Sequence, residues 1–359
     1  VMNSVSGAVE PPQNESISEM WSSIMDSFGV SADEVSGLFN PHAEQAHTLT
    51  RNWANDYGLL GNSDRQQLFD RLGYTHLLAY GCTTAPLERL ALFSQWFTYY
   101  FLLDDQQDLA VLTGRTEDFV ALQEELRHVL RTRGTDGSAP GRDLPAAVAE
   151  LCRRTTPHVS DEWWSRYVAH AEQVFAAQGQ ENTYRSSDDF PAPAEFKEVR
   201  RRAGAADMVF DIIEACEGTG IPGSIRNDPA CCRYADGLND FTTWTNDVLG
   251  VDHDAANRDP NNYVLIRQNS DGLDRRTAID SVTGEIVELV RDLPRRRDEV
   301  RRAARKCSAA EQDRIELALG AWYDWSMYVP IHYLRADGRL SQMDRAQPRQ
   351  PPAFTEDLL

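Results

Sequence analysis

Positive charge is what this 359-residue chain is short of: 36 Lys and Arg stand against 56 Asp and Glu, a net charge of −20. The deficit argues against nucleic acid or an anionic membrane as the main partner, since both recruit basic surfaces. It also means that an anionic small molecule needs metal ions or a local basic patch in order to bind. Long apolar runs are missing too. None reaches the ~18 residues of a membrane-spanning helix, and residues 1–18 lack a charged segment followed by an apolar one, so no signal peptide is expected. The six cysteines form no C-x-x-C pair, and the adjacent Cys231 and Cys232 are poorly spaced for zinc. Reduced, mostly buried thiols in a cytoplasmic protein are the expectation. Alternating strand-like runs and internal repeats are absent as well.

What the chain has is helical periodicity. Leu87, Leu90, Phe93, Phe97, Tyr100 and Phe101 recur at three and four between Pro86 and Leu103. Phe119, Leu122, Leu126 and Leu130 do the same between Thr116 and Thr132. Further helices are predicted over 160–181, 194–217 with an interruption at Gly204, 229–254, 275–293, 296–306 and 309–334. Joined by short loops, they make an all-α helical bundle in a single domain over residues 41–335. Residues 1–40 read as a flexible N-terminal leader carrying a short amphipathic helix from Ile17 to Phe28. Residues 336–359, with Pro348, Pro351 and Pro352, read as a frayed C-terminal tail.

The predicted helix that begins at Pro86 ends in three acids, Asp104, Asp105 and Asp108. Asp104 and Asp108 are one turn apart and share a face, with Asp105 beside them. Like charges so close repel unless a cation sits among them. Carboxylates at this density suit Mg²⁺ or Mn²⁺, which take a few carboxylates, waters and substrate phosphates. The aromatic run before the acids, which includes Trp96, Phe97 and Phe101, would line the space beneath such metals. A solvated acidic helix end is the plain alternative.

A second strip lies in Trp244–Asp254. Asn246, Gly250 and Asp254 are spaced by four, so two oxygen donors flank a residue that leaves room for water. Asp247 lies at the edge of this stripe. Arg200, Arg201 and Arg202 form a basic patch; an inward-facing one beside metal ligands would bind phosphate through its planar fork. Gly204, one turn on from Arg200, weakens the helix and permits a local break.

Taken in order, these stretches resemble the class I terpene synthases (terpene cyclases) of bacteria, over roughly residues 40–333. The family's D-D-x-x-D is matched by Asp104, Asp105 and Asp108. Its second motif, N-D/N-x-x-S/T-x-x-K/R-E, is matched by Asn246 and Asp247, with Gly250 in place of Ser/Thr, His253 in the Lys/Arg place and Asp254 in place of Glu. The family's diphosphate-sensing Arg falls on Arg200, and its linker and effector positions fall on Ala203 and Gly204. Its C-terminal Arg-Tyr pair resembles His332-Tyr333, where the Arg is missing.

The resemblance implies the α-helical isoprenoid synthase fold and three Mg²⁺ ions, for which Mn²⁺ can substitute, clamping a prenyl diphosphate. Asp104, Asp105, Asp108, Asn246 and Asp254 would hold metal; Arg200, His253 and Tyr333 would contact the diphosphate; Gly204 would act at the helix break. Phe97, Phe101, Trp244 and Trp325 are the substrate-facing aromatics carried forward from a wider set with Trp96, Phe210 and Trp322, of which about half should face the cavity. The reaction implied is Mg²⁺-dependent cyclisation of farnesyl diphosphate first, geranylgeranyl diphosphate a close second. Rival readings are a paralogue that binds the diphosphate without ionising it, motivated by Gly250, Asp254 and His332, and a prenyl-elongating synthase, which would need a second D-D-x-x-D that Asp188-Asp189 does not complete. Dimers fit the family, so a homodimer is among the expectations.

Overall fold

In the computed structural model, which describes residues 15–28, 39–136, 143–187, 190–334 and 354–359, the aromatic run and the acids share one uninterrupted helix. The helices are α1 (Glu15–Phe28), α2 (Ala43–Asp56), α3 (Ser63–Leu72), α4 (Tyr74–Ala79), α5 (Leu87–Thr113), α6 (Thr116–Arg131), α7 (Leu144–Thr155) and α8 (Asp161–Ser186). They continue as α9 (Pro193–Ala203), α10 (Ala206–Glu217), α11 (Gly223–Arg226), α12 (Pro229–Ala256), α13 (Tyr263–Asp271), α14 (Arg275–Ala304) and α15 (Ala309–Leu334). No strand occurs among the described residues; the extended pairing there is an isolated antiparallel bridge between Leu60 and Thr355. The all-α expectation holds. No helix among the described residues is long and apolar enough to cross a membrane.

Local chemistry sets the helix boundaries. Asn62 caps α3 by accepting from the Arg65 amide, Ser160 caps α8 through Trp163, and Asp274 caps α14 through Thr277. Gly73 and Gly114 end α3 and α5 with φ of 62° and 69°, in the left-handed region open to glycine. The predicted stop of α5 at Leu103 is wrong for that reason. Leu109 and Ala110 carry the buried stripe past the acids, and the first breaker is Gly114. The predicted helices 275–293 and 296–306 are one helix, α14, running through Pro294. Leu293 and Val300 stay buried on either side of that proline, and their burial offsets the backbone hydrogen bond it removes.

The long helices α5, α12 and α15 pack around a shared interior, with α14 behind α12 and α8–α10 closing another side. The break expected at Gly204 is present: α9 stops at Ala203, Ala205 has φ of 54°, and α10 starts at Ala206. Both chain ends depart from the sequence expectation. Helix α1 is folded onto α14, with Met20 and Ile24 fully buried, so this part of the leader belongs to the packed body. Residues 354–359 lie against α5, and Phe354 is buried beside Phe69 and Tyr74. Residues 1–14 and 29–38 of the leader and 336–353 of the tail lie outside the described residues, as does Asp188-Asp189.

Candidate active site

One cavity gathers residues that the sequence holds in separate stretches. Asp104 and Asp108 enter it from α5, Arg200 from the end of α9, Asn246 and Asp254 from α12, and Tyr333 from α15. Its apolar part is built by Leu77, Phe97, Phe101, Val209, Trp325 and Val329. On α5, Phe97 and Asp108 are eleven residues apart, about 16 Å of helix rise. A charged head and an apolar tail would therefore sit at opposite ends of one space. Trp325, Val329 and Tyr333 repeat at four, so a single face of α15 supplies one wall.

The polar end is acidic. Asp104, Asp108, Glu181, Asp254 and Asp259 outnumber Arg185 and Arg200 among its lining residues. Glu181, on α8, is buried, and burial pushes its carboxyl up to about 7 against the pull of Arg185 and Arg200. Arg185 donates from Nε and Nη2 to Asp259 Oδ2 at 3.0 and 2.8 Å, and its Nη2 lies 3.7 Å from Asp108 Oδ1. Such an end repels an anionic ligand unless cations arrive with it.

Arg200 is locked from behind. Its Nε and Nη2 donate to Asp247 Oδ1 at 3.0 and 2.6 Å, and Nη2 also reaches Asn246 Oδ1 at 3.3 Å. Asp247 is fully buried and its Oδ2 accepts from the Tyr263 amide at 2.9 Å. Burial works against the guanidinium charge, but Asp247 more than compensates and holds Arg200 above its usual range. Asn262 ties the same region together. Its Nδ2 donates to Asp247 O (2.8 Å) and to Asp254 Oδ2 (2.9 Å), while its Oδ1 caps α13 at the Val264 amide (2.9 Å). The turn after α12 thus fixes both carboxylates of the second motif.

The helix break is held as firmly. Tyr100 donates its hydroxyl to Ala203 O at 2.6 Å and Asn239 Nδ2 donates to Arg201 O at 2.8 Å, which satisfies carbonyls that the end of α9 leaves open. A side chain at Gly204 would bring its Cβ to 2.2 Å from Thr243 Cγ2, so the close crossing of α9 and α12 requires glycine.

Do these donors fit a divalent cation? They are all hard oxygens. Among the described residues no cluster of three or more His, Cys, Asp or Glu could hold a metal by itself. The carboxylates come instead in ones and twos from facing helices, Asp104 and Asp108 on α5 and Asp254 with Asn246 on α12. That donor set fits Mg²⁺, which keeps its waters, takes one or two carboxylates and completes its octahedron with substrate phosphate oxygens. Gly250 leaves the space the sequence promised: a Cβ there would meet only Asp254 Oδ2, at 3.6 Å.

Several sequence assignments move. Trp244 does not line the cavity; it sits about 160° around α12 from Asn246, against Tyr263 at 5.2 Å and beneath the Lys197 ammonium at 4.4 Å. His253 is buried and is not among the lining residues. Asp105 points away from the cavity, where its Oδ2 accepts from the Thr355 hydroxyl at 2.6 Å. Of the wider aromatic set, Phe97, Phe101 and Trp325 face the cavity. Trp96 is core, donating to Thr155, and Phe210 and Trp322 stack on each other at 4.9 Å. Sequence reasoning missed Glu181, Arg185, Asp259 and Asn262. Glu181 and Arg185 form a Glu-to-Arg pair spaced by four on α8, and Asn262 is an N-cap residue directly before an apolar run, so both signals were available.

The raised Glu181 carboxyl has a measurable consequence. Asp324 is likewise pushed up by burial, to about 6. Between about pH 4.5 and 7 the folded chain keeps protons on these groups that the unfolded chain releases, so their contribution to stability is largest at low pH and is lost as pH rises through 7. Without metal, stability, read as the melting temperature, is expected to fall from pH 5.5 to 8, and Glu181→Gln to remove its share of that loss of stability, on the order of 2 kcal/mol. A Glu181→Gln profile parallel to wild type contradicts the assignment.

Comparison with known proteins bears on this geometry. Residues 95–292 match the family model for terpene synthase family 2, C-terminal metal binding. The (+)-T-muurolol synthase ((2E,6E)-farnesyl diphosphate cyclizing) of Roseiflexus castenholzii is 29% identical over 265 residues, 71% of this chain and 79% of that protein. The (−)-δ-cadinene synthase of Streptomyces clavuligerus is 28% identical over 255 residues, 70% of this chain and 76% of that protein. Among solved structures, the linalool/nerolidol synthase from Streptomyces clavuligerus aligns with a TM-score of 0.71 at 20% identity, covering 80% of this chain and 96% of that one. At that identity the likeness shows a shared fold.

Proposed function

The chain belongs to terpene synthase family 2, class I terpene synthases of bacteria, and from that premise we propose that it ionises a linear prenyl diphosphate and cyclises the resulting carbocation, with Mg²⁺ as metal and farnesyl diphosphate as substrate. The observation that carries the proposal is the pairing of donors on α5 and α12 across the polar end of a cavity whose other end is aromatic and aliphatic. Bound there, Mg²⁺ would neutralise the diphosphate and stabilise it as a leaving group.

The chain's own residues do the rest. Arg200, held rigid by Asp247, presents fixed positive charge where negative charge develops on the departing diphosphate. Arg185 adds a second such charge across the cavity, and Tyr333 lies within the same lining. Phe97, Phe101 and Trp325 offer π-faces that stabilise a passing cation without attacking it. Each of these three rings is nearly fully buried, so bulk water is kept from the cation's end of the site.

Two observations support a C15 over a C20 substrate. Two relatives carry farnesyl diphosphate cyclisation in their names. The cavity encloses only about 150 Å³, below the ~300–1,000 Å³ usual for ligand pockets, so the walls must already move for the smaller chain. Competition among C10, C15 and C20 diphosphates, read by GC–MS, should give a dominant C15 product; a dominant C20 product overturns the substrate assignment. Geranylgeranyl diphosphate is therefore the second reading.

Gly250 offers a gain-of-function check. Gly250→Ser restores the hydroxyl that the family motif carries and has room for it. It should lower the half-saturating Mg²⁺ concentration by roughly three- to tenfold, the worth of one well-placed oxygen at ~1 kcal/mol. Replacing a mid-helix glycine should also raise the melting temperature slightly. A higher melting temperature with an unchanged Mg²⁺ requirement removes position 250 from the metal site.

A further inference from the structure

Residues 354–359 are built into the first metal motif from its far side. They run beside the Leu59–Gly61 turn, where Gly61 N donates to Phe354 O at 3.2 Å and Glu356 N to Leu59 O at 3.1 Å. Arg65 Nη1 donates to Thr355 O at 2.8 Å, and Arg115 pairs with Asp357 at 2.6 Å. Phe354 fills a pocket made with Phe69 and Tyr74, and Tyr74 stacks at 3.8 Å on Phe101, a wall of the cavity.

The grip tightens at the motif itself. The Gln106 amide holds the segment at both ends: Nε2 donates to Thr355 Oγ1 and to Glu356 O, each at 2.9 Å, and Oε1 accepts from the Leu358 amide at 2.8 Å. Thr355 is fully buried, and its hydroxyl, while accepting from Gln106, donates to Asp105 Oδ2 at 2.6 Å. One hydroxyl therefore links two consecutive residues, Asp105 and Gln106, that sit between the cavity-facing Asp104 and Asp108.

We infer that Thr355 is a positioning residue for the first metal motif: its hydroxyl holds the Asp105 carboxylate away from the cavity and so fixes the turn of α5 that presents Asp104 and Asp108 to the metal and diphosphate. The inference rests on the proposed metal-binding role of that motif. Its physical basis is that a half-buried, charge-assisted hydrogen bond takes up one of three crowded carboxylates and pins its rotamer. Partners that orient metal ligands in this way are worth about ten- to a hundredfold in metal affinity when removed.

The test is calorimetric titration of the full chain with Mg²⁺ and inorganic diphosphate, alongside the melting temperature of the metal-free protein. Thr355→Val keeps the shape and removes the donor; it should weaken Mg²⁺–diphosphate binding about tenfold or more. Thr355→Ser should restore wild-type affinity. In an Asp105→Asn background, Thr355→Val should weaken binding no further, because the two residues act through one contact. Should Thr355→Val not fold, Thr355→Cys, with equal bulk and a weak donor, takes its place with the same expectation. A variant that melts at lower temperature yet binds Mg²⁺–diphosphate as wild type makes the segment merely structural and overturns the inference. Wild-type protein that binds no Mg²⁺–diphosphate overturns the metal reading beneath it, and the inference with it.

Discussion

Asp104→Ala and Asn246→Ala are each expected to reduce turnover by about 10³-fold or more, while the metal-free Asp104→Ala protein should melt no lower than wild type. The first factor is what losing several kcal/mol of leaving-group stabilisation does to a rate. The second follows from charge. Asp104 shares the polar end with Asp108, Glu181, Asp254 and Asp259, so removing one carboxylate relieves repulsion in the absence of cations. A residue kept only as a solvated helix surface would change neither quantity. Near-wild-type product from either variant, assayed by GC–MS, removes that residue from the metal site.

Asp247→Ala is the most destabilising single change expected in the site, at about 3–5 kcal/mol, the cost of leaving one member of a buried ion pair alone. Asp247 takes both the Arg200 guanidinium and the Tyr263 amide, so its loss leaves two donor groups without their acceptor. The converse change, Arg200→Leu, should cost less and behave differently with pH. A stranded carboxylate escapes by taking a proton, whereas a stranded guanidinium cannot lose one. Denaturation midpoints of Arg200→Leu should therefore recover as pH falls toward 5, and those of Asp247→Ala should not. Equal pH profiles would mean that the pair is not the desolvated unit the geometry describes.

The parts of this site that were legible in the sequence are those written along one helix. Asp104 and Asp108, or Asn246 and Asp254, need only the 3.6-residue repeat to be placed on one face, and the break was legible from Gly204, although it is Ala205 that takes the left-handed torsion while Gly204 serves the close crossing with α12. What sequence could not supply was which face of each helix meets the interior. Trp244 is as apolar as Trp325, yet the turn of α12 sends it to Lys197 and Tyr263 while Trp325 enters the cavity. Asp247 reads as the edge of the metal stripe, and its burial is decided by Arg200 and Tyr263, which come from other elements. The docking of residues 354–359 was hidden for a related reason. Proline-rich composition upstream suggested a frayed end, and the receptor for Phe354 and Thr355 is assembled from Leu60, Phe69, Tyr74 and Gln106, which no local period reveals.

Independent bracing of the two walls proposed to hold metal is the mechanical consequence of this arrangement. Asn262 fixes Asp254 from the turn after α12, and Thr355 fixes Asp105 from behind α5. Each wall is thus braced by a half-buried polar contact from a residue that does not line the cavity. Catalysis that depends on charge placed before the reaction begins gains from such bracing, since no reorganisation is then required at the moment of ionisation.

By the proposed function, this cavity turns a prenyl diphosphate into a cyclic terpene through metal held between α5 and α12. Purified protein incubated with farnesyl diphosphate, with Mg²⁺ and with EDTA, and the extract read by GC–MS, tests it most directly. A cyclic hydrocarbon or alcohol formed with Mg²⁺ and absent with EDTA is the predicted result. Farnesyl diphosphate bound but recovered intact in both conditions would contradict it, and would make the chain a prenyl-diphosphate-binding protein built on a synthase fold.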